Sequence, residues 1–392
     1  MSEAAFVKGL LLAVPASFVA VHLFGRLGRL GAVLGIAVGI AAGLAATALL
    51  PSGQIGYVAS FVLMASIYAV LSLGLNVQWG YTGLFNIGIA AFFAVGAFTT
   101  ALVTTRMPEG PLAAFSQQAF GFGMPFLVGV LAAGAVSGVV AWAIGRPTLK
   151  LRDDYLAIAT IGIAEVVRLI FQNERWLANG PQPLRGIPQP LNCLTQTDGC
   201  GYLPAAVNAF FSPLTPRDYP FVYLAVVALV LVVVYLVLER MIESPWGRVL
   251  RAVREEESSA RMNGKDAAAF KIQAFVVGAV IMGIGGALYA HYMVSIDYSH
   301  FDPLYATFLI WVMLMLGGSG NNRGAILGAF VIWGIWTGTA SLIDEIRPAL
   351  AAISSDLPAR GPYLRFLFIS ILLLAILRFR PQGLIGEKRR TS

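Results

Sequence analysis

Residues 57 to 104 carry no charged side chain over 48 consecutive positions. A helix rises about 1.5 Å per residue and the hydrocarbon core of a bilayer is about 30 Å thick, so one crossing uses about 20 residues. The uncharged stretch is far longer than one crossing, and the chain must break within it. The natural place is Trp79-Gly80-Tyr81-Thr82-Gly83-Leu84-Phe85-Asn86-Ile87-Gly88, where Gly80 and Gly83 give the backbone freedom to turn. Two readings stay open. A helix restarting there would aim its free N–H groups, the positive end of its dipole, at whatever lies at that depth. Alternatively, the glycines serve a tight turn and close helix packing. Asn86 is the side chain to follow in both, because an amide within a span needs a partner.

The rest of the chain repeats the pattern. Of 392 residues, 58% are apolar and only 12% charged, with a mean hydropathy of +0.76. Soluble proteins average about 45–50% apolar and about 25% charged, so a water-soluble fold is excluded, as is intrinsic disorder, which requires a shortage of apolar residues. Apolar windows run near 6–24, 29–50, 57–78, 84–104, 124–144, 155–172, 219–240, 269–291, 304–318, 324–342 and 362–379. The expected fold is an all-α polytopic membrane bundle of ten or eleven spans, some of them broken or interrupted by glycine. The first window is read as a retained span, since Met1 to Lys8 make a poor signal-peptide start. The 27 Lys and Arg against 20 Asp and Glu give a net +7, but the basic residues lie scattered between apolar runs and form no nucleic-acid patch. They speak instead to orientation, because loops on the cytoplasmic side collect Lys and Arg. With the C-terminus inside and the N-terminus outside, 18 fall inside, eight outside and Arg168 within a span. Residues 1–52 hold the first two windows and 53–385 the remaining core. The core holds an external loop at 173–218 and a cytoplasmic loop at 241–268, and 386–392 form a basic tail.

The cytoplasmic loop contains Ser244-Pro245-Trp246-Gly247-Arg248-Val249-Leu250-Arg251-Ala252-Val253-Arg254-Glu255. Ser244 reads as an N-cap with Pro245 at the first helical position. Trp246, Val249, Leu250 and Val253 fall at i, i+3, i+4 and i+7, one apolar stripe. Arg248, Arg251 and Arg254 are assigned to the other face, Glu255, Glu256 and Glu257 follow, and Gly264 can end the segment in left-handed geometry. Such a helix can lie on anionic headgroups or dock a partner. Glu165 and Arg168 sit one turn apart inside a span, as an interior ion pair or a clamp near the outer interface. Cys193 and Cys200 share the external loop, where an oxidising compartment permits a disulfide. No His or acidic cluster accompanies them to make a metal site. Gly283, Gly285 and Gly286 suit close helix packing, and Gly317, Gly318 and Gly320 a helix break with Asn321 and Arg323 at the inner face. Neither cluster meets the phosphate-loop pattern. His22, His291 and His300 are taken as isolated interfacial or capping residues.

At these residues the sequence closely resembles the permease subunits of branched-chain amino-acid ABC importers, LivM type. The resemblance is carried by Trp79-Gly80-Tyr81-Thr82-Gly83 with Asn86-Ile87-Gly88, by Asp154-Tyr155-Leu156-Ala157 through Glu165 and Arg168, and by Gly186-Ile187-Pro188. It continues in Ser244-Pro245-Trp246-Gly247-Arg248, Arg251-Ala252-Val253-Arg254-Glu255, Gly285-Gly286-Ala287-Leu288-Tyr289-Ala290, Leu316-Gly317-Gly318 and Arg378-Phe379-Arg380-Pro381-Gln382-Gly383-Leu384. Leu177-Ala178-Asn179-Gly180-Pro181 departs from the family's usual Thr-Gly-Gly, the Cys-bearing loop is longer than usual, and residues 1–52 match little of the pattern and so read as an accessory hairpin. The resemblance implies a non-enzymatic transport subunit of the bacterial inner membrane that binds no cofactor itself. It would work with a homologous second permease, two cytoplasmic ATPases that use ATP, and an external substrate-binding protein. The 244–255 helix would be the coupling helix, and Thr82, Gly83, Asn86 and Gly88 would border the substrate path. The cargo would be branched-chain or related neutral amino acids, or else urea or short amides. A self-contained secondary transporter is the alternative from another class.

Overall fold

The computed structural model describes residues 3–23, 28–109, 117–196, 199–353, 360–361, 363–380 and 382–386. The expected inner residues Arg26, Lys388, Arg389 and Arg390, with Pro381 and nearly all of the 386–392 tail, lie outside the described residues. Helices dominate: α1 (Glu3–Leu23), α2 (Gly28–Leu49), α3 (Ser52–Leu75), α4 (Ile89–Thr104), α5 (Phe126–Thr148) and α6 (Asp153–Asn173) come first. The short α7 (Arg175–Ala178) and α8 (Ala205–Phe211) flank a disulfide-bearing loop. Then come α9 (Tyr219–Glu243), α10 (Pro245–Glu255), α11 (Glu257–Met262), α12 (Ala267–Met293), α13 (Leu309–Gly317), α14 (Asn322–Ile353) and α15 (Tyr363–Phe379). Two-residue strands β1 (Leu184–Arg185) and β2 (Ser295–Ile296) pair antiparallel, Arg185 opposite Ser295.

Each apolar window is centred on a helix. Six helical stretches among the described residues are long and apolar enough to cross a membrane: 3–21, 53–80, 126–148, 216–243, 267–293 and 322–348. Four shorter apolar helices and α6, which carries Glu165 and Arg168, complete the set. The chain is a multi-pass, all-α membrane protein.

The bundle is organised around α3 and α12. α12 packs on α3, α4 and α5, while α3 also meets α9, α13 and α14. Small residues permit the closest crossing: a Cβ on Gly96 of α4 would lie 2.2 Å from the Gly283 carbonyl oxygen of α12, so only glycine fits where the backbones meet. α1 and α2 form a hairpin set against α9, and Lys8 pairs with Asp218 at 2.7 Å to fasten it there. The second glycine cluster is a helix break. α13 stops at Gly317, and Gly318 and Gly320 take positive φ before α14 begins at Asn322. The Gly383-Leu384 end of the chain folds back onto that break, Leu384 and Ile385 donating to the carbonyls of Leu316 and Gly317 at 2.8 and 3.0 Å.

Candidate functional site

The uncharged stretch breaks at its glycines as expected, but the helix resumes later. α3 runs into a π-helical turn, Asn76–Gly80, Gly83 takes φ +77°, residues 84–88 are non-helical, and α4 starts only at Ile89. The helix therefore does not restart at Gly83, because a left-handed residue there sends the chain out of helical geometry. The freed polar groups are satisfied within the protein. Asn86 is fully buried. Its Nδ2 donates to Gln78 Oε1 at 2.7 Å, its Oδ1 accepts from the Gly88 N–H at 2.8 Å, and its carbonyl accepts from Trp311 Nε1 at 3.0 Å. Gln78 Nε2 in turn donates to the Phe275 carbonyl of α12 at 2.7 Å. The Ile87 and Ala90 N–H groups donate to the Thr160 and Thr307 hydroxyls. Thr82 is buried and donates to the Val77 carbonyl at 2.9 Å. Thr82, Asn86 and Gly88 are thus interior members of a bonded turn, and Gly83 is half-buried at its edge.

The two breaks face each other. Asn76, fully buried, donates through Nδ2 to Asn322 Oδ1 at 3.0 Å and accepts the Gly320 N–H at 2.9 Å. Asn322 Nδ2 donates to Glu239 Oε2 of α9 at 3.1 Å. Asn76, Gln78, Asn322 and Glu239 escaped the sequence reading. Asn76 and Gln78 are amides in the same uncharged run as Asn86, whereas Asn322 and Glu239 have polar or charged neighbours in sequence and carry no such signal.

α10 sits directly under this turn. Leu250 and Val253 are buried, Trp246 and Val249 half-buried, as the stripe requires. Ser244 does not cap with its side chain: its hydroxyl donates back to the Met241 carbonyl at 2.6 Å, while Pro245 occupies the first turn. The arginines do not form one outer face either. Arg248 is exposed, but Arg251 turns back to donate to the Ile242 and Gly247 carbonyls at 3.2 and 3.3 Å, and Arg254 donates to the Gly80 carbonyl. The Ile242 and Gly80 carbonyls are backbone oxygens at a helix end and a turn, the places where such groups are left open. A Cβ on Gly83 would touch Arg254 Cγ at 3.1 Å. Trp246 Nε1 adds a bond to Gln273 Oε1 of α12 at 2.9 Å. α10 is therefore tied to α9, to α12 and to the break, and its exposed residues Pro245, Arg248, Ala252 and Glu255 make a second stripe. Glu255 ends the helix, Glu256 is extended, Glu257 opens α11, and the positive φ of Gly264 closes that second helix instead. Burial raises the Glu257 carboxyl, but Lys271 at 2.5 Å and Arg261 at 2.6 Å outweigh it and hold the group below its ordinary value.

The remaining candidates lie apart. Glu165 and Arg168 form a bidentate pair, Arg168 Nε to Glu165 Oε2 at 2.9 Å, on a partly exposed face of α6. Arg168 also lies 5.7 Å from the Tyr298 ring. Cys193 and Cys200 are joined in a disulfide, and Asn208 brackets Cys200 with two 3.0 Å bonds. His291 is not isolated. It is fully buried, bonded to the Thr100 hydroxyl at 3.1 Å and the Pro188 carbonyl at 2.7 Å. His300 meets the Tyr289 hydroxyl at 3.0 Å. No His, Cys, Asp and Glu cluster suited to a metal occurs among the described residues.

Comparison with known proteins agrees with this architecture. The family model described as branched-chain amino acid transport system / permease component matches residues 57–377. The high-affinity branched-chain amino acid transport system permease protein LivM of Salmonella typhimurium is 30% identical over 331 residues, 83% of this chain and 69% of the relative. The probable branched-chain amino acid transport permease protein LivM of Methanocaldococcus jannaschii is 27% identical over 371 residues, 86% of this chain and 95% of the relative. The guanosine ABC transporter permease protein NupQ of Bacillus subtilis is 24% identical over 292 residues, 72% and 81% of the two chains. No solved structure matches the chain significantly. With residues 57–377 matched by the family model, and a LivM permease 30% identical over 83% of the chain, the chain belongs to the branched-chain amino acid transport permease family.

Proposed function

We propose that this chain is the membrane-spanning permease of an ATP-driven, binding-protein-dependent importer of branched-chain or related neutral amino acids. It works beside a homologous permease, two ATPases and an external binding protein, in the bacterial inner membrane with its N-terminus outside and its C-terminus in the cytoplasm. The observation that carries this reading is α10. An amphipathic helix with an exposed stripe of Pro245, Arg248, Ala252 and Glu255 is fixed by its other residues to α9, α12 and the Gly80–Gly83 turn. A push on the exposed stripe is delivered at once to two spanning helices and a break, the arrangement rigid-body alternation between outward and inward openings requires. Thr82, Gly83, Asn86 and Gly88 border the substrate path when that break moves. The chain supplies no hydrolytic chemistry and binds no cofactor; ATP is used by the partner subunits.

The test is assembly. Arg248→Glu combined with Ala252→Trp, both on the exposed stripe, abolishes co-purification with the ATPase subunits while leaving the permease abundant in the membrane. Undisturbed assembly of that double variant removes the docking role. ATP-independent uptake by this chain alone, driven by an ion gradient in proteoliposomes, would establish a secondary transporter instead. The resemblance to a guanosine permease makes cargo a separate question, answered by a ligand screen on the associated binding protein.

A further inference from the structure

A cavity of about 1120 Å³ opens at the end of the bundle away from α10. α4 spans the distance: it begins just after the turn held by Arg254, and its last residue, Thr104, lines the cavity. Sixteen residues at about 1.5 Å each put about 24 Å between the two. Two interlocked loops build the walls. Residues 105–109 and 117–124 are bridged by the Arg106–Phe122 pairing, and Gln118 pairs with Ala178 to join them to the 174–190 segment. Asn179 clamps the junction, its Oδ1 accepting from the Gln117 N–H at 2.9 Å and its Nδ2 donating to the Pro183 carbonyl at 3.3 Å. Arg185 is held on β1 by the pairing with β2.

The lining is one-sided in charge. Arg106, Arg175 and Arg185 all border the cavity, and no Asp or Glu does among the described residues. None of the three arginines makes an ion pair among the described residues; Glu174, next in sequence to Arg175, accepts from Trp176 Nε1 at 2.7 Å. Thr105, only 6% exposed, also lines the cavity, and its hydroxyl has no partner among the described residues. Arg106, Arg175 and Arg185 are exposed at the cavity wall, their guanidinium groups open to a ligand from solvent, and a guanidinium fork matches a carboxylate in a bidentate manner. The space exceeds the usual ligand pocket of about 300–1000 Å³, so it admits a carboxylate together with what carries it.

We propose that this cavity is a carboxylate-binding site at the outer mouth of the permease, with Arg106, Arg175 and Arg185 as its cationic walls. Its placement outside rests on the importer reading above. The carboxylate arrives as the α-carboxylate of a free amino acid at the mouth, or as an acidic side chain of the external protein that delivers it. Two measurements on the assembled transporter in nanodiscs separate these sources. One is calorimetric binding of L-leucine against L-leucinol, which lacks the carboxylate. The other is the affinity of the ligand-free binding protein for the assembly. The triple variant Arg106→Gln, Arg175→Gln, Arg185→Gln is expected to lower one of these affinities at least tenfold, and the triple Lys variant to recover part of it. The control Arg347→Gln, at a residue that does not line the cavity, leaves both unchanged. Loss of leucine binding with leucinol unaffected assigns the free solute, and loss of binding-protein affinity assigns the acidic side chain. If both affinities survive the Gln variant in a correctly assembled complex, the proposal is overturned. A wild-type assembly that binds normally but imports nothing with ATP counts against the importer reading and leaves the carboxylate site standing.

Discussion

The guanidinium of Arg254, at the end of α10, donates to the carbonyl of Gly80, which lies 174 residues earlier at the break after α3. A bond from a charged donor contributes about 1.5–3 kcal/mol, and about 1.4 kcal/mol is tenfold in an equilibrium. Arg254→Ala is therefore expected to leave assembly intact, since Trp246 and Arg251 still seat α10, while lowering ATP-driven uptake about tenfold or more. Uptake by reconstituted vesicles, measured beside ATP hydrolysis, checks it. Hydrolysis that continues without uptake is the signature of a severed link, and unchanged uptake would mean that the bond transmits nothing.

Asn86 and Gln78 test the buried turn itself. Replacing Asn86 by Ala strands Gln78 Oε1 and the Gly88 N–H without partners, each buried unsatisfied group costing about 1–3 kcal/mol. Thermal unfolding of the purified protein in detergent should show a clear loss for Asn86→Ala, with the Gln78→Ala, Asn86→Ala double variant less destabilised than the sum. Strict additivity would show that the two amides do not act together.

Glu257 predicts a pH effect confined to the α10–α11 loop. Its carboxyl titrates lower in the folded protein than in the unfolded chain. The stabilisation is therefore fully present above the unfolded value and is lost as pH falls through the folded one. Protection of the 256–271 amides in hydrogen exchange should weaken on acidification below about pH 4.5, the ordinary Glu range. In Glu257→Gln it should be weaker at neutral pH and flat through that window.

The Cys193–Cys200 bond closes a short loop, for which chain entropy gives about 2 kcal/mol. Reduction, or Cys193→Ser with Cys200→Ser, should speed protease cleavage between 190 and 215 while leaving the transmembrane helices unaffected. Equal cleavage rates before and after reduction would show that Asn208 alone holds the loop.

Hydropathy exposed the spans because a bilayer imposes a length and an apolarity that each window meets by itself. A local property also placed the break near Gly83, although the helix resumed five residues later than its glycines implied. Arg251 and Arg254 were misplaced for a related reason. Spacing on a helix says which side chains share a face, but long arginine stems bend toward any unsatisfied carbonyl within reach.

What the sequence alone determined is the class of object: a many-span membrane bundle, broken at Gly80–Gly83 and Gly317–Gly320, with one amphipathic helix between two spans. Apolar content, glycine placement and i, i+3, i+4 spacing are written in consecutive residues and need no fold to be read. Only the tertiary structure decided that Asn76 meets Asn322, that Arg254 reaches Gly80, and that Arg106, Arg175 and Arg185 share one cavity. Those relationships join residues tens to hundreds of positions apart. In an apolar interior a polar group must take whichever partner the packing brings near, and nothing local records which one that is.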